Sequence, residues 1–303
     1  MFLAYIIMCL IYGTTFLGIT LGLHAGFSPF LYAGLRFSTA GILILAFLFL
    51  TKVKFPRDKT FYLSAAFIGL CMTGIEFSGF YWAQQYVPSS FAALLGAATP
   101  LMVILSNLIF EKEKLGLIEA FGVGLGFLGV LFIVYPNIKE GFELSNFQFL
   151  GSIAIIVSTF FYGVGTVKSK KILIKGYSAT LLNGFQMLFG SLFLFTLSFL
   201  IEDHSLKGFN ITGLSALLYL IIFGSIIASG IYYWLVKVAG PVLPSTWTYV
   251  SPMIALLVGY LFLKESVYTI SFVGSIIVLC GVFLTNYKTF SNLLLSKRES
   301  KKV

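Results

Sequence analysis

Ten apolar runs alternate with short polar interludes along the chain. A bilayer's hydrocarbon core of roughly 30 Å needs about 20 helical residues, and on that ruler the qualifying segments have approximate limits 2–22, 29–50, 61–84, 89–110, 115–135, 148–168, 178–201, 211–236, 243–263 and 268–287. Most of the intervening loops are so short that consecutive helices must be antiparallel neighbours. No segment is left over for a soluble domain. The pattern predicts an all-α integral membrane protein of ten transmembrane helices. A polar connector at 138–146, carrying Lys139, Glu140, Gly141 and Glu143, separates a first unit (1–137) from a second (147–288), and a basic tail (289–303) follows.

The two units resemble each other at an offset of 150 to 152 residues. Tyr12 and Gly13 recur as Tyr162 and Gly163, Gly34 with Arg36 aligns with Gly184 and Gln186, and Tyr81 with Trp82 recurs as Tyr233 with Trp234. Pro100, Phe110, Lys112 and Glu113 recur as Pro252, Phe262, Lys264 and Glu265, and Gly122, Gly129 and Val130 as Gly274, Gly281 and Val282. Five ordered matches at a near-constant offset imply a duplicated five-helix unit. Because five is odd, the second copy is inverted relative to the first. Inverted repeats offer two nearly equivalent packings, the basis of alternating access in many secondary transporters.

Charge orients the bundle. With the N-terminus in the cytoplasm, Lys52, Lys54, Arg57, Lys59, Lys112, Lys114, Lys168, Lys170, Lys171, Lys175, Lys237, Lys288, Lys297, Arg298, Lys301 and Lys302 are all inside, whereas Lys139, Lys207 and Lys264 are outside. Such asymmetry predicts an N-in, C-in topology. It also accounts for the net charge of +9 without nucleic acid. The composition agrees, at 58% hydrophobic and 10% charged residues with mean hydropathy +0.98, well above the apolar share of soluble domains. The stretch Met1 to Gly13 lacks a basic n-region and its apolar run continues to Gly22, so the first segment is expected to remain in the membrane. Cys9, Cys71 and Cys280 lie in apolar segments without metal-ligand spacing, His24 and His204 fall in loops, and no hydrolase, metalloprotease or phosphate-loop motif occurs. No cofactor, metal or catalytic role is expected.

Two ionisable residues lie deep within the spans, on consecutive helices: Arg36, roughly 10 Å below the outer end of the second, and Glu76, roughly 15 Å below that of the third. A charge exposed to hydrocarbon costs at least about 2.5–3.5 kcal/mol, so both are expected to face the interior or a water path. Two readings of the pair stand: a solute- or proton-binding site, or a permanent ion pair joining the helices. The expected solute pathway comprises Arg36, Glu76, Tyr12, Thr15, Thr73, Phe80, Trp82, Thr99, Tyr162, Gln186, Trp234, Thr246 and Trp247. Pro100 and Pro252 each remove a backbone donor and are expected to kink their helices. Glu113 and Glu265 are expected to cap the fifth and tenth helices, and Gly122 with Gly126 forms a small-residue packing face.

The chain resembles the EamA family of the drug/metabolite transporter superfamily. The resemblance rests on Tyr12, Gly13, Thr14, Thr15 and Phe16, on Arg36 with Phe37, on Pro88, Ala92, Pro100, Leu101 and Glu113, and on Pro252, Met253, Glu265, Gly281 and Val282. It implies a ten-helix transporter with a cavity lined by helices 1–4 and 6–9, helices 5 and 10 being peripheral. The implied function is secondary transport or facilitated export of a small organic solute, an amino acid or related metabolite, across the plasma membrane. A proton-coupled multidrug or toxic-cation exporter is the alternative, and a membrane-embedded enzyme or sensor the rival of another class. Expected partners are the solute, the lipid bilayer and protons, but no nucleic acid; the chain acts as monomer or homodimer.

Overall fold

The computed structural model describes residues 1–87, 92, 95–112, 116–139, 146–203, 206–254 and 269–287. Among them the regular structure is helical throughout. The helices are α1 (Phe2–His24), α2 (Pro29–Leu50), α3 (Lys59–Ala83), α4 (Thr99–Phe110), α5 (Leu117–Lys139), α6 (Asn146–Ile174), α7 (Ala179–Ile201), α8 (Ile211–Ala239), α9 (247–254) and α10 (Thr269–Thr285). Six of them, α1, α2, α3, α6, α7 and α8, have 22 to 29 residues in apolar stretches long enough to cross a membrane; those of α4, α5 and α10 are shorter.

The expected fourth span, 89–110, is interrupted in its described part by a turn at Ala97 and Ala98, and α4 begins just beyond it. Pro100 therefore sits in the first turn of a helix, where its missing N–H has no intrahelical partner to lose, and it starts α4 rather than kinking it. In the expected ninth span a single turn, Val242–Ser245, precedes a break at Thr246. Pro252 lies inside α9, where it cannot donate to the Thr248 carbonyl. The predicted caps Glu113 and Glu265 lie outside the described residues, as do His204 and Pro88.

Polar groups at the helix ends sort the bundle into two faces. At one, the Glu202 carboxylate beyond α7 accepts from the Phe30 and Leu31 N–H groups at 2.6 and 3.0 Å, capping α2. There too, Asn210 caps α8 and donates to the Ala25 carbonyl at 2.9 Å. At the other end Asp58 caps α3, accepting from the Thr60 N–H and the Tyr177 hydroxyl, each at 2.8 Å. The Thr60 bond, then the Tyr177 bond, hold the Asp58 carboxyl below its usual range, and the same contact pushes the Tyr177 phenol up. Lys171 pairs with Glu111 at 2.6 Å on this face. It is the face bearing Lys52, Lys54, Arg57 and Lys59.

Helices meet across the two halves of the chain: α2 crosses α7, α5 runs along α10, α1 packs on α8, α3 on α6 and α7, and α4 on α6. Small residues permit the approach. A Cβ on Gly69 would stand 2.2 Å from the Gln186 carbonyl oxygen, and one on Gly190 2.5 Å from that of Gly69. The predicted glycine face of α5 is used similarly, Gly122 lying against Thr285 and Gly126 against Gly281 of α10. Both α3 and α8 widen into π-helix partway along, at Leu70–Ile75 and Leu220–Ala228. Such turns gather at functional sites.

Candidate functional site

The widened turn of α3 delivers Met72 and Thr73 to an internal cavity, and Glu76 follows it at once. Other lining residues come from α1, α2, α6, α7, α8, α9 and the start of α4; α5 and α10 contribute none among the described residues. The cavity volume is about 80 Å³. That is room for several waters, each needing at least about 10–15 Å³ on this measure, or for a solute of a few heavy atoms.

Ten of the thirteen predicted pathway residues line it: Tyr12, Thr15, Arg36, Thr73, Glu76, Phe80, Thr99, Tyr162, Gln186 and Trp247. Three do not. Trp82 is half-buried and packs edge-on against Tyr86 with ring centroids 5.3 Å apart. Trp234 is 40% exposed on the outer surface of α8. Thr246 is buried at the α9 break, where it bonds the Tyr5 hydroxyl at 2.8 Å and the Leu243 carbonyl at 2.7 Å. The pathway list omitted Ser229 and Ser251, together with Tyr232, Tyr233 and Thr248. Ser251 was within reach of the repeat, since it stands before Pro252 as Thr99 stands before Pro100. Ser229 carries no such signal.

Arg36 and Glu76 both border the cavity and do not pair, so of the two readings the permanent ion pair is the one the structure does not show. Arg36, 2% exposed, donates from Nε to the Ser225 hydroxyl at 2.9 Å and from Nη1 to the Tyr81 hydroxyl at 3.2 Å. Its guanidinium lies 4.7 Å from the Phe37 ring centroid and 5.3 Å from that of Phe77. Hydroxyl acceptors and ring faces together stabilise a cation without a carboxylate. The Ser158 hydroxyl near Glu76 donates instead to the Ile155 carbonyl at 2.9 Å. Glu76 Oε2, though buried, has no partner among the described residues.

A second polar contact mirrors that of Arg36. The Thr73 hydroxyl donates to Gln186 Oε1 at 2.6 Å. Gln186 follows Arg36 by 150 positions and Ser225 follows Thr73 by 152, the same offsets that relate the two units. Each bond therefore joins the second helix of one unit to the widened third helix of the other.

The sequence profile of the EamA-like transporter family matches residues 1–135 and again residues 149–287. This chain belongs to the EamA-like transporter family. Among relatives, it is 30% identical over 260 residues to the uncharacterized inner membrane transporter YedA of Escherichia coli strain K12, spanning 86% of this chain and 81% of that protein. Identity to the uncharacterized transporter YoaV of Bacillus subtilis strain 168 is 24%, over 95% of this chain and 97% of the relative. A solved crystal structure superposes with a TM-score of 0.78 over 98% of this chain and 97% of its own, at 18% identity, a likeness of fold alone. As an EamA-family member with many apolar helices, the chain is a multi-pass membrane transporter and not an enzyme.

Proposed function

We propose that the protein is a secondary transporter or facilitator moving a small organic solute, an amino acid or related metabolite, across the plasma membrane by alternating access. The moving parts are two inverted five-helix repeats, 1–137 and 147–288, joined by the connector 138–146, with both termini cytoplasmic. The observation that carries this reading is the matched pair of cross-repeat bonds, Arg36 to Ser225 and Thr73 to Gln186. Exchanging the repeats exchanges the bonds. A cavity held between two such contacts can open to one face by releasing one and to the other by releasing its twin, which is the bistability alternating access requires. The double match of the family profile supports the duplication, and the basic residues gathered at the Asp58 end support the orientation.

Glu76 supplies the solute's anchor. A buried carboxylate oxygen without a partner suits a protonated amine, and the Tyr12, Phe80, Tyr162 and Trp247 rings around the same cavity suit its apolar part. Export is the direction taken over from the family resemblance. The unpaired Oε2 also favours a second reading, a proton-coupled exporter in which Glu76 exchanges a proton for a cation. Purified protein in liposomes, assayed with a panel of labelled metabolites with and without an imposed pH gradient, tests both. Glu76→Gln should abolish flux while leaving folded yield near wild type; flux unaltered by Glu76→Gln removes Glu76 from the pathway.

A further inference from the structure

The cavity holds unmet hydrogen-bonding capacity of both signs, divided between the two halves of the chain. Like the acceptor Glu76 Oε2, the indole N–H of Trp247 and the hydroxyl of Ser251 are buried without a partner among the described residues. Both side chains line the same cavity. They stand at i and i+4 on α9, one stripe of that helix. Hydroxyls just before and between them are consumed locally: Ser245, Thr246 and Thr248 donate to the carbonyls of Val242, Leu243 and Ser245 at 2.7, 2.7 and 3.0 Å. Ser251 makes no such backbone bond. The Trp247 ring is held by Tyr12 and Phe16, with centroids 4.4 and 6.5 Å away, so its N–H is fixed in direction.

Indole N–H is a donor only, and it can be satisfied only by an acceptor. Arg36, a donor only, cannot satisfy it, and its Nε and Nη1 are engaged by Ser225 and Tyr81. Nor does the first half offer an equivalent. At the repeat offset Trp247 corresponds to Leu95, and Ser251 to Thr99, whose hydroxyl is spent on the Gly96 carbonyl at 2.6 Å; Glu76 corresponds to Ala228. Among the buried unpartnered groups of the lining, the carboxylate acceptor is thus on the first half, and the indole N–H and the Ser251 hydroxyl are on the second.

We propose that Trp247 and Ser251 form an acceptor-binding subsite that sets specificity. With Glu76 it selects a small solute carrying a protonated amine and, a few bonds away, an oxygen acceptor such as a carboxylate or hydroxyl. This rests on the transport reading above and deepens it. A solute bonded at both ends bridges the two halves, whereas an amine alone touches one.

The test is a binding comparison on the purified full chain in detergent, read as thermal stabilisation, with L-alanine and L-alaninol as two-ended probes and isopropylamine and propionate as one-ended ones. At least one two-ended probe should stabilise the protein at a concentration where neither one-ended probe does. Trp247→Phe, which keeps the ring and removes the N–H, and Ser251→Ala should each weaken that probe about tenfold. Trp234→Phe, outside the cavity, should leave it unchanged. Equal binding of isopropylamine, absence of binding by both two-ended probes, or affinity within twofold of wild type in both α9 variants would overturn the subsite. The wild-type comparison of probes decides the matter even where a variant fails to fold. Flux of an oxygen-free solute that is indifferent to Trp247→Phe would overturn the subsite and leave transport standing. A protein that moves no solute of the metabolite panel would remove the transport reading, with the binding comparison still deciding the subsite.

Discussion

Removing one of the two cross-repeat bonds should tilt the protein toward one face of the membrane, and removing the other should tilt it the opposite way. Ser225→Ala takes the acceptor from Arg36 Nε, a 2.9 Å bond in a site where Arg36 is 2% exposed. Hydrogen bonds to charged groups are worth about 1.5–3 kcal/mol, against about 0.5–1.5 kcal/mol for neutral ones such as Thr73 to Gln186. Taking about 2 and about 1 kcal/mol, the substitutions shift the conformational equilibrium roughly 30-fold and roughly fivefold, at tenfold per 1.4 kcal/mol. Accessibility reads this directly. Thr248, which lines the cavity, is replaced by cysteine in a chain lacking Cys9, Cys71 and Cys280, and labelling by an impermeant maleimide is timed from each side of oriented vesicles. Ser225→Ala should speed labelling from the Glu202 side and Thr73→Val from the Asp58 side, with the double variant returning toward the starting balance. Acceleration of both variants on the same side, or rates within twofold of the parent on both sides, would refute the paired-latch reasoning.

Three further outcomes follow from the packing and the caps. Gly190→Ala, whose new Cβ would lie 2.5 Å from the Gly69 carbonyl oxygen, should cost about 1–3 kcal/mol, seen as a lower melting temperature in detergent, whereas Gly124→Ala, with nothing within 4 Å, should be neutral or stabilising by up to about 1 kcal/mol. Glu202→Gln weakens the double cap on Phe30 and Leu31 and should destabilise by about 0.5–2 kcal/mol, read as a lower melting temperature in detergent. Asp58 is held below the usual carboxylate range when folded, so its contribution is present at neutral pH and is lost as pH falls through that lowered value. The melting difference between wild type and Asp58→Asn should accordingly shrink on acidification below the carboxylate range; a difference constant from neutral to strongly acidic pH would refute the assignment.

The sequence alone determined the class of protein and where its charges had to go. Apolar runs of about 20 residues have no low-energy home but a bilayer, and the cost of a charge in hydrocarbon is enough to turn Arg36 and Glu76 inward before any packing is known. Both do border the cavity. The repeat was equally legible, because matched residues at a fixed offset need no structure to be counted. What only the tertiary structure decided was partner and face. Arg36 bonds Ser225 and Tyr81 rather than Glu76 because the widened turn of α8 brings a hydroxyl to it from far along the chain. Trp247 points into the cavity while Trp82 and Trp234 do not. In water a helix's polar stripe marks its outer side, but in a bilayer the lipid-facing and core-facing sides are both apolar, and periodicity loses the contrast that would tell these tryptophans apart. Pro100 starts a helix instead of bending one because the backbone has already turned at Ala97 and Ala98, a turn across the one position where the proline cannot donate to the Gly96 carbonyl.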